Sequence, residues 1–476
     1  MTKHKIILSL SLIVLAASCT KDLTSLNNDP KNPPVVYSYS LFTNAQKNLA
    51  RTLASSNVNL NVFRLITQYW QETTYLGESR YDLNTRNIPS NAWQALYRDV
   101  IKDLEAARAL IPDDVEDAAV QKNQLAMLDI MEVYAYYYLV TTYGNIPYTR
   151  AMNIDSVFPA YDDAKTVYND LMSRLDADIA ALDPAVAGFG TADIIYGSDI
   201  DMWLKFANSF KLKMALTIAD DDAAKAKTAA EQAVQAGVFE SNDDNAKFVF
   251  KASPPNTNPL WEDLVQSGRK DFVAASTIIT EMKQLGDPRI PLYFTEDAAG
   301  DYSGGEPGRS SSYGTFSKPD EALVNPEYPH TLLDYAEVEF LLAEAAARNF
   351  NVGGTPAIHY ANAIRASILD WGGTDADATT YLGKTTVAYA TAAGDYRQKI
   401  GMQKWIALYN RGWDSWLEWK RLDYPQLQPA YRANSAIPVR FTYPVNEQNY
   451  NTRNWNDAAA AIGGDKVDTR LWYDKF

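Results

Sequence analysis

The stretch SNAWQALYRDVIKDLEAARALIP places Trp93, Leu96, Tyr97, Val100, Ile101, Leu104 and Ala107 three and four residues apart. That spacing puts them on one side of an α-helix, and the apolar stripe must then be buried against another element. Ser90 or Asn91 can cap the start, and Pro112 lies just beyond the expected end. The pattern recurs along the chain. Ala119–Tyr143 carries Leu125, Leu128, Met131, Ala135 and Leu139 on one side and stops at Gly144, a suitable C′ residue. Helices are also expected at Tyr161–Leu182, Asp199–Ile218, Asp221–Ala236, Phe272–Leu285, Leu332–Asn349, Pro356–Leu369 and Asp395–Asn410. Strand-like alternation is scarce, with Lys247–Ala252 (KFVFKA) the best example. The fold class is therefore all-α. The helices form antiparallel pairs with short connections, which suits a tetratricopeptide-like body that buries its faces by stacking. DYAEVEFLLAEAAARNFNVGGTPAIHYANAIRASI comes nearest to one such unit.

Four stretches lack this periodicity: Phe239–Asp271, Asp287–His330, Trp371–Gly394 and Arg421–Phe476. Compact domains seldom carry loops this long without a function. They are rich in Gly, Ser, Pro and aromatics rather than charge, so ordered surface structure is expected. They make the second half of the chain the less regular one.

The N-terminus reads differently. Lys3, His4 and Lys5 precede an apolar run, Ile6–Ala17, broken only by Ser9 and Ser11. It falls short of the roughly 20 residues that span a bilayer and fits a secretory signal over residues 1–18, ending in Ala16, Ala17 and Ser18. Cys19, the single cysteine of the chain, follows at once, as in a bacterial lipobox. One thiol makes no internal disulfide, so its expected role is acylation. Several acyl chains, each buried CH₂ worth about 0.8 kcal/mol, anchor durably where one chain holds marginally. Residues 19–38 then read as a lipidated tether, with LNNDPKNPPVV lacking helical periodicity. Thr20, Lys21 and Asp22 resemble a lipoprotein surface-export signal. Residues 39–476 form the single folded domain.

With 59 acidic against 44 basic residues and a formal charge of −15, the chain is a poor partner for nucleic acid or an anionic membrane surface. Catalytic signals are few. His4 leaves with the signal, and His330 and His359 stand far apart, with no mature free cysteine to join them in a zinc or Cys–His centre. No G-x-S-x-G elbow is present. ATTYLGKT (Ala378–Thr385) lacks the first glycine and the preceding strand of a phosphate loop, and reads as a loop. The stretch from Asp375 lacks the central Gly and terminal Glu of an EF-hand. Carboxylates are abundant, so an all-α glycoside hydrolase remains the enzymatic alternative.

The positive signal is aromatic. A flat Trp or Tyr covers the apolar face of a sugar ring while Arg, Asn or Asp takes its hydroxyls. NVFRLITQYWQETTYLGESRYDLNTRN offers Trp70, Tyr75, Arg80 and Tyr81 as ligand contacts, although Trp70 also shares an inward stripe with Phe63 and Ile66. DYSGGEPGRSSSYGTF offers Tyr302, Tyr313, Phe316 and Arg309. Trp93, Trp203, Trp405 and Trp416 sit in amphipathic helices and are expected in the core. The expected binding is by stacking and neutral hydrogen bonds, with no metal or other cofactor.

Several blocks, in order, resemble the SusD/RagB-type family of nutrient-binding outer-membrane lipoproteins. They are the lipobox with TKD, LNNDPKNP (Leu26–Pro33), YGNIPY (Tyr143–Tyr148), DIIYGSDIDMWLKFANSFKLKMA (Asp193–Ala215), DPR (Asp287–Arg289), DYAEVEFLLAEAA (Asp334–Ala346), KWIALYNRGWDSWLEWKR (Lys404–Arg421), IPVRFTYPVNEQNYN (Ile437–Asn451) and the ending TRLWYDKF. The ending reads LWYD where that family commonly has a double tryptophan. The resemblance implies about four tetratricopeptide-like helix pairs and a loop-rich half. It also implies a TonB-dependent outer-membrane transporter of the SusC type as partner. The lipoprotein would sit on it as a lid facing the cell exterior, binding oligosaccharide or, less commonly, peptide. A lid that hardly touches cargo is the non-enzymatic alternative.

Overall fold

The computed structural model of the chain describes residues 35–476. The signal segment, Cys19, Lys21, Asp22 and nearly all of the tether lie outside the described residues. The fold is mainly helical, and its long helices bury their apolar stripes against one another in pairs. Helix α1 (Ser38–Ala54) packs on α2, which runs through Ile88–Leu96, a wider π turn at Tyr97–Ile101, and Lys102–Asp114. Helix α3 (Ala118–Tyr143) packs on α4 (Ala164–Ala181), and α5 (Ile200–Thr217) on α6 (Ala223–Ala236). Later come α7 (Ser276–Leu285), the pair α8 (Tyr335–Ala347) and α9 (Pro356–Asp370), then α10 (Tyr396–Ala407) and α11 (Gly412–Leu422). The four pairs stack in succession: α2 touches α3, α4 touches α5, and α5 touches α8.

Local chemistry explains the boundaries. Asp163, Asp199, Asp222, Asp334 and Asp395 cap α4, α5, α6, α8 and α10, each accepting from a backbone N–H of the first turn. A carboxylate there satisfies an orphan donor and complements the helix dipole. Gly144 ends α3 at φ +88°, where a Cβ would meet Leu471 Cδ2 at 2.8 Å. From Ala126 to Tyr143 every side chain of α3 is buried, so this helix is the axis of the body and not an amphipathic surface helix. Its tyrosines find partners inside: Tyr138 donates to Asp414 at 2.6 Å and Tyr134 to the Leu332 carbonyl at 2.5 Å.

Some expectations fail locally. Phe272–Ala274 is a strand, and the helix begins only at Ser276. The chain there pairs antiparallel with Trp70–Glu72, Trp70 opposite Ala274, and tertiary pairing overrides the helical pattern. His330–Leu333 is likewise a strand, paired with Ala246–Phe248, and α8 starts after its Asp334 cap. Helix α2 passes through Pro112 to Asp114; a proline in the last turn forfeits little of the ladder. Asp375–Leu382, expected as loop, is a short helix with a Thr374/Asp377 capping box.

The charged blocks of the sequence turn inward. Lys213 of α5 contacts Asp414 at 2.5 Å and Glu337 at 3.1 Å, and Arg411 reaches Glu337 at 2.7 Å. Lys404 pairs with Glu418 at 2.8 Å, and Arg421 grips Glu344 with both terminal nitrogens and Glu418 with one, all at 2.6 Å. All eight side chains are buried, four cations against four carboxylates. Burial alone would push the Glu418 and Asp414 carboxyls up, but the surrounding cations hold both below the usual carboxylate range. Asp287 and Arg289 make a second buried pair at 2.6 Å, joined to Ser367 and Gln403. Such clusters tie α5, α8, α10 and α11 into one register, since a misplaced partner would leave a charge buried alone.

Candidate functional site

The two aromatic loops singled out in the sequence meet. Gln71 bridges them: its Nε2 donates to the Arg309 carbonyl at 2.9 Å and its Oε1 accepts from Gly308 N at 2.7 Å. The Thr73 carbonyl accepts from Ser310 Oγ at 3.0 Å and Ser311 N at 3.2 Å. Arg80 Nε donates to the Gly308 carbonyl at 2.9 Å. A third segment, from the C-terminal stretch, closes the assembly. Tyr431 N donates to the Pro307 carbonyl, and Asn434 N to the Arg80 carbonyl, both at 2.8 Å. The strand Trp70–Glu72, paired with Phe272–Ala274, fixes the first loop to the body.

On this support sits a face of rings and cations. Tyr75 projects at the loop tip, 73% exposed, on a backbone at φ +43°. A β-carbon in that region carries steric strain of about 1–2 kcal/mol. The half-buried ring of Tyr313 lies beneath the ammonium groups of Lys270 and Lys318, at 5.6 and 5.4 Å from its centroid. Arg309 stacks 3.7 Å over Tyr431, with Arg432 at 5.3 Å from the same ring. Arg80 is half-exposed, and its two terminal nitrogens make no bond among the described residues.

Not every expected contact lies here. Trp70 is 2% exposed. It lies on the strand beyond the short helix Phe63–Ile66, its indole N–H donates to Tyr409 at 2.9 Å and Arg64 covers its ring at 5.0 Å, so it is a core residue through the strand and not through a helical stripe. Tyr81 is 3% exposed. At φ +67° its ring turns under the loop, and its hydroxyl accepts from Ala430 N at 3.2 Å. Both are corrected from ligand contacts to the scaffold beneath the face. Tyr302 is half-buried and packs against the main core, its carbonyl accepting from Lys283 at 3.1 Å. Trp93, Trp203, Trp405 and Trp416 are core residues, as expected. Tyr431, Arg432 and Lys270 were missed. An aromatic beside a cation in a long loop, as in AYRAN, is the only signal that could have pointed to Tyr431.

The segment that carries Tyr75 also holds a pair of buried carboxyls. Glu72 accepts from Ser79 N at 2.9 Å, and Glu78 holds Arg86 at 2.5 Å. Burial, together with the neighbouring Glu78 carboxyl, pushes Glu72 up to about 9, so it is neutral at pH 7. Two carboxyls in contact leave no room for the sugar and water that a glycosidase places between its acid and base, about 5–9.5 Å apart. His330 is buried and pushed down to about 3 by desolvation, which leaves it uncharged at neutral pH. Beside the face a cleft of about 340 Å³ is lined by Gln68, Thr277, Glu281, Met402, Tyr424 and Gln428. Gln428 and Tyr431 are three residues apart, so cleft and face adjoin.

Comparison with known proteins gives a consistent picture. A SusD-like family model, described as starch-binding and associating with the outer membrane, matches residues 30–444. No curated protein matches. Among solved structures, a SusD homolog from Bacteroides uniformis is 27% identical, with a TM-score of 0.80 over 92% of this chain and 99% of its own. A chitin-binding SusD homolog from Flavobacterium johnsoniae is 25% identical, with a TM-score of 0.78 over 92% and 98%. One from Bacteroides thetaiotaomicron is 26% identical, with a TM-score of 0.79 over 93% and 100%.

Proposed function

The chain belongs to the SusD-like family, and from that premise we propose that it is a cell-surface lipoprotein that captures oligosaccharide on the face around Tyr75, Tyr313 and Tyr431. In this reading it hands the cargo, as a lid, to a TonB-dependent outer-membrane transporter. It is a binding protein and not an enzyme. The observation that carries the reading is the convergence of three distant loops on one rigid aromatic face. Rings held on a hydrogen-bonded support lose little freedom when a sugar stacks on them. The strained backbone at Tyr75 fits a site, since strain persists where function requires a particular presentation. The adjoining cleft gives an oligomer somewhere to continue.

The test is a titration of the purified protein with maltose- and chitin-derived oligosaccharides. Tyr75→Ala and Tyr431→Ala should each weaken binding about tenfold, the loss of about 1.4 kcal/mol. Tyr75 is exposed, so its variant should keep the wild-type unfolding midpoint. Unchanged affinity in both folded variants would remove this face from the site.

Lipid anchoring through Cys19 is part of the same proposal. Among the described residues no helix is long and apolar enough to cross a membrane. The docking of a large partner is supported by an apolar patch on another face. Ile154, Val157 and Phe158 are 92, 75 and 55% exposed, and Tyr450 is 71% exposed. The loop is held there by Asn454 and Asn451, which donate to the Phe158 and Pro159 carbonyls. Exposed apolar clusters of this kind mark interaction sites. Ile154→Asp with Val157→Asp should abolish co-purification with the transporter while oligosaccharide affinity stays unchanged. Retained co-purification would place the interface elsewhere.

A further inference from the structure

We propose that the cargo bound on this face is an acidic oligosaccharide, one that carries carboxylate groups in the manner of a uronic-acid chain. The inference deepens the reading above and rests on it. The whole chain carries a formal charge of −15, yet the half-buried rings of Tyr313 and Tyr431 are flanked by cations. Lys270 and Lys318 flank Tyr313, Arg309 and Arg432 flank Tyr431, and Arg80 sits between the loops. Arg309 is paired with Glu306 at 2.6 Å, and Arg269 nearby with Asp271 at 2.5 Å. The side-chain ends of Lys270, Lys318 and Arg432 and the terminal nitrogens of Arg80 make no ion pair or hydrogen bond among the described residues.

Charges of one sign, concentrated against the trend of the molecule, are costly unless something answers them. They repel one another and raise the local concentration of anions. In the core, Lys213, Arg411, Lys404 and Arg421 are each met by carboxylates at 2.5–3.1 Å. A neutral sugar needs only the rings and a few donors. Guanidinium forks match carboxylate geometry in a bidentate way, and Arg80 and Arg432 offer them beside the loops that carry the rings. Lys270 adds a mobile point charge. The rings then take the sugar faces while the cations take a repeated carboxylate. Binding by stacking and neutral hydrogen bonds alone, expected from the sequence, leaves these groups without a role.

Oligogalacturonides, their methyl-esterified forms and malto-oligosaccharides of matched length would be titrated by calorimetry at low and high salt. The acidic chain should bind at least about tenfold tighter than its ester at low salt. The preference should collapse as salt rises, because exposed charges are screened beyond about 8–10 Å near 0.1 M. Lys270→Gln with Arg432→Gln removes two cations whose side chains make only long ring contacts, at 5.6 and 5.3 Å, so the loops should stay folded. That variant should bind acid and ester alike. Equal binding of acid and ester, or a preference that survives the double variant, would overturn the inference while leaving the oligosaccharide reading intact. Failure of every sugar to bind the wild-type protein would overturn both.

Discussion

Arg421→Met should destabilise the protein by about 3–5 kcal/mol, the typical cost of removing one partner from a buried ion pair. Arg421 is buried and holds Glu344 and Glu418 together, each at 2.6 Å. Without it two carboxylates face each other in the core, with Lys404 as the remaining cation on Glu418 and Arg348 on Glu344. Denaturant unfolding at pH 7 measures the effect; a loss under about 1 kcal/mol, the level of a surface pair, would show that the network adds little.

The pH dependence supplies a second check. Glu344, Glu418 and Asp414 have folded-state pKa values below their ordinary ones. Their contribution is therefore complete above the unfolded carboxylate values of about 4 and is lost as pH falls through the lower folded ones. The gap between wild type and Arg421→Met should be widest near neutrality and narrow in acid, as the buried carboxylates left short of a cation in the variant take up protons. Glu72 works in the opposite direction. Its pKa is raised to about 9, so its contribution is present in acid and fades as pH rises from about 4 towards 9.

Cys19→Ala should move the protein wholly from the outer-membrane fraction to the soluble one while leaving its unfolding midpoint and sugar affinity unchanged. Position 19 precedes the described body, and Cys19 is the single cysteine, so acylation is the role proposed for it. The measurement is membrane fractionation in cells that lack the transporter, which would otherwise retain the protein by contact. Persistence in the membrane would show that something other than acyl chains holds it.

Much of the architecture was legible because it is local. The three- and four-residue spacing in α2 and the stop of α3 at Gly144 each depend on residues within a few positions. The paired helices followed from short connections between such stripes. Where the pattern misled, as at Phe272–Ala274, a strand partner some two hundred residues earlier had decided the matter. The loops that carry Tyr75 and Tyr313 were recognisable as aromatic and polar, but their meeting was not.

By itself the sequence determined the helical class, the pairing of helices, the absence of any disulfide and the stretches in which a site could lie, because periodicity, capping and composition are written within a few residues. Only the tertiary structure decided which aromatics face solvent. Trp70 and Tyr81 went under the surface and Tyr75 stayed on it, although all three lie within twelve residues. The same is true of charge. Nothing local distinguishes Arg421, locked on Glu344, from Arg432, left open beside Tyr431. The physical reason is that burial and ion pairing belong to contacts such as Gln71 to Gly308, 237 residues apart in the chain, and such contacts exist only once the body has folded.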